Sequence, residues 1–247
     1  MASLEGRVAI ITGAASGMGR AHVHHLAGLG AIVVAQDIDA NGLSETVGSL
    51  PKVEAFEFDI ADVAASARMA AEVVQRHGRI DILVNNAGIG LDKPLEAIEE
   101  RDLDRMLGVH VKGTFFCTQA VVPTMKRQRS GRILNVSSRW AQAGHDQASD
   151  YVAAKGAILG LTKAWARELA PFGITVNALA PGGVWSAMVL ANLGEEGVRR
   201  EEQAVPLGRW AQPEEMAGIV AHLVSDETVF ITGQVISPNG GKTMVGF

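Results

Sequence analysis

The feature that most constrains how this chain can fold is an alternation. Seven short runs rich in β-branched and apolar residues recur along it: "RVAIIT" (7–12), "AIVVAQ" (31–36), "VEAFEF" (53–58), "DILVNN" (81–86), "GRILNV" (131–136), "ITVNALA" (174–180) and "QVIS" (234–237). Longer stretches with helical periodicity separate them, among them a segment from Glu99 to Arg129 and "ASDYVAAKGAILGLTKAWARELAPFG". Several of the short runs are apolar on nearly every residue, as strands are when helices cover both faces. The pattern predicts an α/β fold: a doubly wound, Rossmann-type, mostly parallel seven-stranded sheet with helices on both faces. No linker or low-complexity tract divides the 247 residues, and 47% apolar content suffices for one core. Residues 1–247 are therefore read as a single domain. The stretch at about 182–212 lacks strand character, and a long excursion of that kind is usually a functional lid or binding loop.

The first strand passes directly into "TGAASGMG", with Gly13, Gly17 and Gly19 ahead of a helix. Glycines at a strand-to-helix junction let the backbone approach a pyrophosphate, and the helix N-terminus supplies free N–H groups and a positive dipole end. A second strand then runs to Asp37. A carboxylate there binds the ribose hydroxyls of a dinucleotide and repels a 2′-phosphate. No arginine or lysine adjoins it in "AQDIDANG". NAD is expected, NADP less so.

Tyr151 is the only tyrosine, and Lys155 follows it by four residues in "SDYVAAKGA". That spacing puts both on one helix face. A phenol with a pKa of about 10 is a poor base near pH 7, and a neighbouring cation favours the phenolate. The pair is a candidate acid/base device.

The glycine spacing G-x-x-x-G-x-G, "NNAG" at 85–88, the serine pair at 137–138 and Tyr-x-x-x-Lys at 151–155 occur in order. Together they resemble the classical short-chain dehydrogenase/reductase family over nearly the whole chain. The resemblance implies an NAD-dependent oxidoreductase that interconverts a secondary alcohol and a ketone, built as one dinucleotide-binding and catalytic domain. Ser138 would hydrogen-bond the substrate oxygen and Tyr151 would exchange a proton with it. Lys155 would hold the nicotinamide ribose and depress the tyrosine pKa, by about 3 units or roughly 4 kcal/mol for work near neutrality. The cofactor would lie along Gly13, Ser16, Gly17, Met18 and Gly19, with Asp37 at its adenosine ribose. Asp59 and Ile60 would contact adenine, and Asn86, Ala87 and Gly88 would border the ribose. Pro181, Gly182, Val184 and Ser186 would face the nicotinamide, beside Tyr151 and Lys155.

Two positions depart from the family pattern. His110, in "LGVHVKGTFF", stands where the family carries a fourth catalytic residue, asparagine. An imidazole titrates near neutral pH, so His110 is expected to join the proton relay, alter the helix bend or weaken activity, unless it only fills the asparagine's space. Asn239, in "SPNGG", replaces a frequent aspartate away from the chemistry and is expected to affect a turn. Trp140, Trp185 and Met188, with Leu190, are expected to wall a cleft for a hydrophobic substrate, cyclic or aromatic bodies included, with Arg139 and His145 as polar options in the same loop unless they point to solvent, as loop charges usually do. Two rival readings stand beside this one. A 3-oxoacyl-thioester reductase of the same family would normally prefer NADP, which Asp37 disfavours. A silent NAD-binding protein has His110 as its only support.

Composition narrows the partners. Twenty-two basic against 27 acidic groups give −5 and no basic stripe, which argues against nucleic acid. No apolar run is long enough to span a bilayer, and the N-terminus lacks the pattern of a secretory leader. The lone Cys117 suggests a reducing, cytoplasmic setting and a core position rather than a nucleophile. His22 and His25 lack the acidic or cysteine neighbours of a metal site, so no metal is expected. Family resemblance of the two long helical segments implies a homotetramer.

Overall fold

The structure is a computed structural model that describes residues 3–48, 50–90 and 92–245. All seven expected strands form: β1 (Val8–Thr12), β2 (Ile32–Asp37), β3 (Val53–Glu57), β4 (Ile82–Asn85), β5 (Gly131–Val136), β6 (Ile174–Leu179) and β7 (Val235–Ile236). They make one sheet in the order β3-β2-β1-β4-β5-β6-β7, and every adjacent pair is parallel. The order reverses between β1 and β4. That switch point opens a crevice at the carboxyl ends of the strands, where open α/β sheets bind ligands.

Alternate residues of each strand feed opposite layers. Ala9 and Ile11 of β1 join a core with α1 (Gly17–Gly28), α2 (Ala40–Val47) and α9 (Pro213–Leu223). Val8 and Ile10 join the other, with α3 (Val63–His77), α5 (Thr114–Gln128) and α7 (Ser149–Leu169). Cys117 lies in this second core, and burial pushes its thiol up to about 12, so it packs as an apolar side chain. Helix starts follow local chemistry: Asp39 accepts from the Asn41 and Gly42 amides to cap α2, and Asp62 accepts from Ala65 to cap α3.

The expected helix from Glu99 to Arg129 is continuous but not uniform. α4 (Glu100–Leu107) widens into a π-helical turn over Gly108–Gly113 before α5 begins. Such turns recur at functional sites, and this one carries His110. A short α6 (Trp140–Ala143) lies after β5. The excursion after β6 is helical: α8 (Ala187–Gln203) is capped by Ser186, which accepts from the Val189 amide at 3.2 Å, and is kinked at Gly194 (φ 65°). A small separate core of Val198, Val205 and Trp210, with Trp185 and Val189 against it, anchors this helix. Among the described residues no helix is long and apolar enough to cross a membrane.

Candidate active site

The glycine turn is built by close approach. A Cβ on Gly19 would stand 1.9 Å from the Gly13 carbonyl oxygen, and one on Gly13 would stand 2.6 Å from Ala87 Cα. Ser16 at the N-cap makes no side-chain capping bond and no acidic residue lies in the first turn of α1, an arrangement that suits an anion at the dipole end. Thr12, which sequence reasoning missed, ties the turn to β4: its Oγ1 accepts from the Asn86 and Ala87 amides at 3.1 and 3.0 Å. Asn86 reaches back, its Nδ2 donating to the Thr12 and Gly13 carbonyls. These interlocked turns form the floor of the crevice.

Asp37 sits at the end of β2 as expected. One oxygen accepts the Ala15 amide at 2.9 Å and the other accepts from Ile38 and Asp39. A hollow lined by Gly13, Asp37, Asp59, Ile60, Gly88 and Arg105 opens beside it. Arg105 gave no signal in the sequence, because it reaches the rim from α4. It bonds Asp59 Oδ2 at 2.6 Å. Burial opposes ionisation of Asp59, but the Ala61 amide and Arg105 together hold its carboxyl below the usual range.

Across the switch point, β5 delivers Ser137 and Ser138 to the first turns of α7. Ser137 Oγ donates to the Lys155 carbonyl at 2.8 Å. The Ser138 hydroxyl lies beside the Tyr151 phenol and favours its ionised form. Lys155 is buried and donates from Nζ to the Val136 carbonyl at 2.8 Å, with that nitrogen 5.6 Å from the Tyr151 ring centroid. Trp140 stands edge-on to Tyr151 at 5.7 Å and stacks on His145 at 3.7 Å. Beneath them runs a buried amide–hydroxyl chain absent from the sequence reading. Asn85 donates to Thr118 and Asn135, and Asn135 donates to Thr162. The Pro181–Ser186 segment returns to the crevice, where a Cβ on Gly17 would be 3.6 Å from Ser186 Cβ. Gly182 is pressed against Asn239, whose side chain clasps Thr243 and so shapes the C-terminal turn.

The family model described as enoyl-(acyl carrier protein) reductase matches residues 13–243, which spans the glycine turn, the serine pair and the Tyr-Lys helix alike. The chain belongs to the classical short-chain dehydrogenase/reductase family. It is 43% identical to the 3-oxoacyl-(acyl-carrier-protein) reductase of Thermotoga maritima over 96% of this chain and 98% of that one. The reductase of that name from Staphylococcus aureus is 40% identical over 96% and 98%. The (2S)-[(R)-hydroxy(phenyl)methyl]succinyl-CoA dehydrogenase subunit of Thauera aromatica is 38% identical over 98% of each. Among solved structures, levodione reductase superposes with a TM-score of 0.93 at 31% identity, covering 96% of this chain and 98% of that one. Members of the family are oxidoreductases that use a nicotinamide cofactor.

In this short-chain dehydrogenase/reductase two expectations need correction. His110 does not titrate near neutral pH: burial, with the Lys155 ammonium near it, pushes its pKa down to about 3. Its Nε2 meets Ile89 in either tautomer, donating to the carbonyl at 2.8 Å or accepting from the amide at 3.1 Å. Its Nδ1 has no partner among the described residues. The neutral ring stands edge-on to Tyr151 at 5.4 Å and fills the space a Cβ on Gly88 would need. Second, the protein by itself does not depress the tyrosine pKa. Burial pushes the phenol up to about 12, and the same burial pushes Lys155 down to about 7. Trp185, expected in the wall of the substrate cleft, packs edge-on to Trp210 at 6.1 Å, under α8. Met188 falls outside the residues whose side chains are described.

A buried neutral histidine has a pH signature. Its folded pKa lies below the unfolded value of about 6.5, so the stability it permits is present above that pH and is lost as pH falls toward 3. His22, fully buried in α1 with neither ring nitrogen partnered among the described residues, is likewise pushed down to about 3 and acts in the same direction. His110→Asn is therefore expected to flatten the acid limb of a stability–pH curve by up to one proton. Above pH 5 its pH–rate profile should overlay that of the unchanged protein. A kinetic inflection between pH 6 and 7 that vanishes in the variant would restore a titrating role.

Proposed function

We propose that this protein is an NAD-dependent oxidoreductase that interconverts a secondary alcohol and a ketone on a hydrophobic substrate. The observation that carries this reading is the meeting of Ser138, Tyr151 and Lys155 beside the crevice. The residues present fit a dinucleotide. The glycine turn has no room for side chains, the α1 N-terminus suits an anion, and Asp37 borders the hollow. Gly13, Ser16, Gly17, Met18 and Gly19 would hold the pyrophosphate, with Asp59, Ile60, Asn86, Ala87 and Gly88 around the adenosine half. Pro181, Gly182, Val184 and Ser186 would border the nicotinamide. A bound nicotinamide supplies the hydride acceptor or donor.

The protein's part is to orient and to move a proton. In the reducing direction Tyr151, held as a neutral phenol, gives its proton to the substrate oxygen while Ser138 donates a hydrogen bond to that atom. In the oxidising direction the proton returns to the phenol oxygen. Lys155 is the residue to hold the nicotinamide ribose, and its ammonium beside the ring eases formation of the phenolate. His110, neutral, braces the Asn86–Ile89 turn and the Tyr151 ring. The α8 excursion serves as the substrate loop. The chain is proposed to work as a cytoplasmic homotetramer.

Asp37 supports NAD over NADP because it lines the hollow where the adenosine ribose would lie, and a carboxylate there repels a 2′-phosphate. The cation on that rim, Arg105, is already engaged by Asp59. Asp37→Ala is expected to narrow the NAD:NADP ratio of kcat/KM values at least tenfold. An unchanged ratio would remove Asp37 from cofactor selection.

A second reading, reduction of a 3-oxoacyl thioester, draws on the printed activities of the Thermotoga and Staphylococcus relatives. The deciding assay follows absorbance at the reduced-nicotinamide band, with NAD and NADP separately. It sets cyclic, aromatic and aliphatic alcohols and ketones against acetoacetyl-CoA, with Tyr151→Phe as control. Tyrosine-dependent turnover of the simple alcohols with NAD supports the first reading. Exclusive turnover of the thioester supports the second. Cofactor binding with no tyrosine-dependent turnover on any compound would sink both.

A further inference from the structure

Arg139 directly follows Ser138, and its side chain is only 13% exposed. A guanidinium carries five donors and keeps its charge, so one without a protein partner retains its capacity to take an anion. Among the described residues the Arg139 side chain makes no hydrogen bond, and the nearest carboxylate oxygen, Glu201 Oε2, stands 3.9 Å away. That oxygen is already taken by Lys242 Nζ at 2.5 Å. Two cations thus share one carboxylate, leaving an excess of one positive charge. The three groups come from the loop after Ser138, the last turn of α8 and the C-terminal turn. The guanidinium lies 5.7 Å from the Trp140 ring centroid, and that indole is edge-on to Tyr151. The uncompensated cation therefore stands one aromatic ring away from the phenol.

We propose that Arg139, backed by Lys242, is an anion subsite that binds a carboxylate on the substrate, with Trp140 packing the substrate body between that carboxylate and the carbon facing Tyr151. The inference rests on the alcohol/ketone reading and narrows it to hydroxy and oxo acids. A planar carboxylate matches the guanidinium fork in a bidentate pair, which Glu201 at 3.9 Å does not form. Glu201 then has a defined part as the internal carboxylate that tempers the subsite when no substrate anion is present.

The test is calorimetric titration of the protein, with and without NAD, using succinate, octanoate, 3-phenylpropanoate and the corresponding amides, with inorganic phosphate as a control anion. At least one acid is expected to bind tenfold or more tightly than its amide. Arg139→Met should erase that ratio and Arg139→Lys should restore part of it. Glu201→Gln, which removes the competing carboxylate, should tighten the acid further. NAD affinity serves as the folding check for each variant. The inference is overturned if no acid shows an Arg139-dependent advantage over its amide, or if phosphate binds as well as the acids. It is also overturned if Glu201→Gln weakens every acid, since the cluster would then be a latch for α8. Titration requires no turnover, so its outcome is separate from that of the Tyr151→Phe assay.

Discussion

Tyr151→Phe is expected to lower kcat/KM by about 10²–10⁴-fold, the range lost with a general acid/base, while the dissociation constant for NAD changes less than threefold. The substitution removes a single oxygen. The ring keeps its edge-on contacts with His110 and Trp140, and among the described residues the phenol oxygen has no backbone hydrogen bond to lose. Burial raises the phenol to about 12, which keeps it protonated at neutral pH and ready to donate to a developing alkoxide. Loss of the donor should therefore appear in turnover and not in cofactor affinity. Steady-state rates with the best alcohol–ketone pair, beside a fluorescence titration of NAD, separate the two quantities. A variant within threefold of the unchanged rate would take Tyr151 out of the mechanism.

Gly19→Ala should do the reverse and weaken cofactor binding by displacing the glycine turn. The new methyl would meet the Gly13 carbonyl at 1.9 Å and Asn86 Nδ2 at 2.8 Å. The first obstacle is backbone, so the turn itself must move, and overpacking of this kind costs about 1–3 kcal/mol. A drop in the thermal midpoint and at least a 100-fold weaker NAD dissociation constant are expected. Gly28→Ala in the same helix is the control, because a Cβ there meets nothing within 4 Å and alanine favours the helix. If Gly19→Ala bound NAD as well as Gly28→Ala, the turn would not be the pyrophosphate cradle.

Features written in short stretches of chain were legible in the sequence. All seven strands announced themselves as apolar runs between glycine-rich breaks, and their observed ends fall within about two residues of expectation. Tyr151 and Lys155 were readable because a helix fixes i and i+4 on one face. What escaped depends on partners far along the chain. Thr12 looks like an ordinary strand end until β4 brings Asn86 and Ala87 to its hydroxyl. Arg105 is one charge among many in a polar helix until the fold sets it against Asp59. Ionisation was the least legible property of all. His110 departs from its exposed-state pKa because burial is a tertiary outcome, and at Tyr151 burial raises the phenol where a cation effect was expected to lower it.

The small core beneath α8 has an evolutionary consequence. Among the described residues Val198, Val205 and Trp210, with Trp185 against them, form a cluster of their own, apart from the two layers that flank the sheet. Substitutions around that cluster are expected to disturb the two sheet-flanking layers less than substitutions within them. If α8 is the substrate loop proposed above, changes of substrate preference are expected to collect in this segment while the two sheet-flanking layers stay constant.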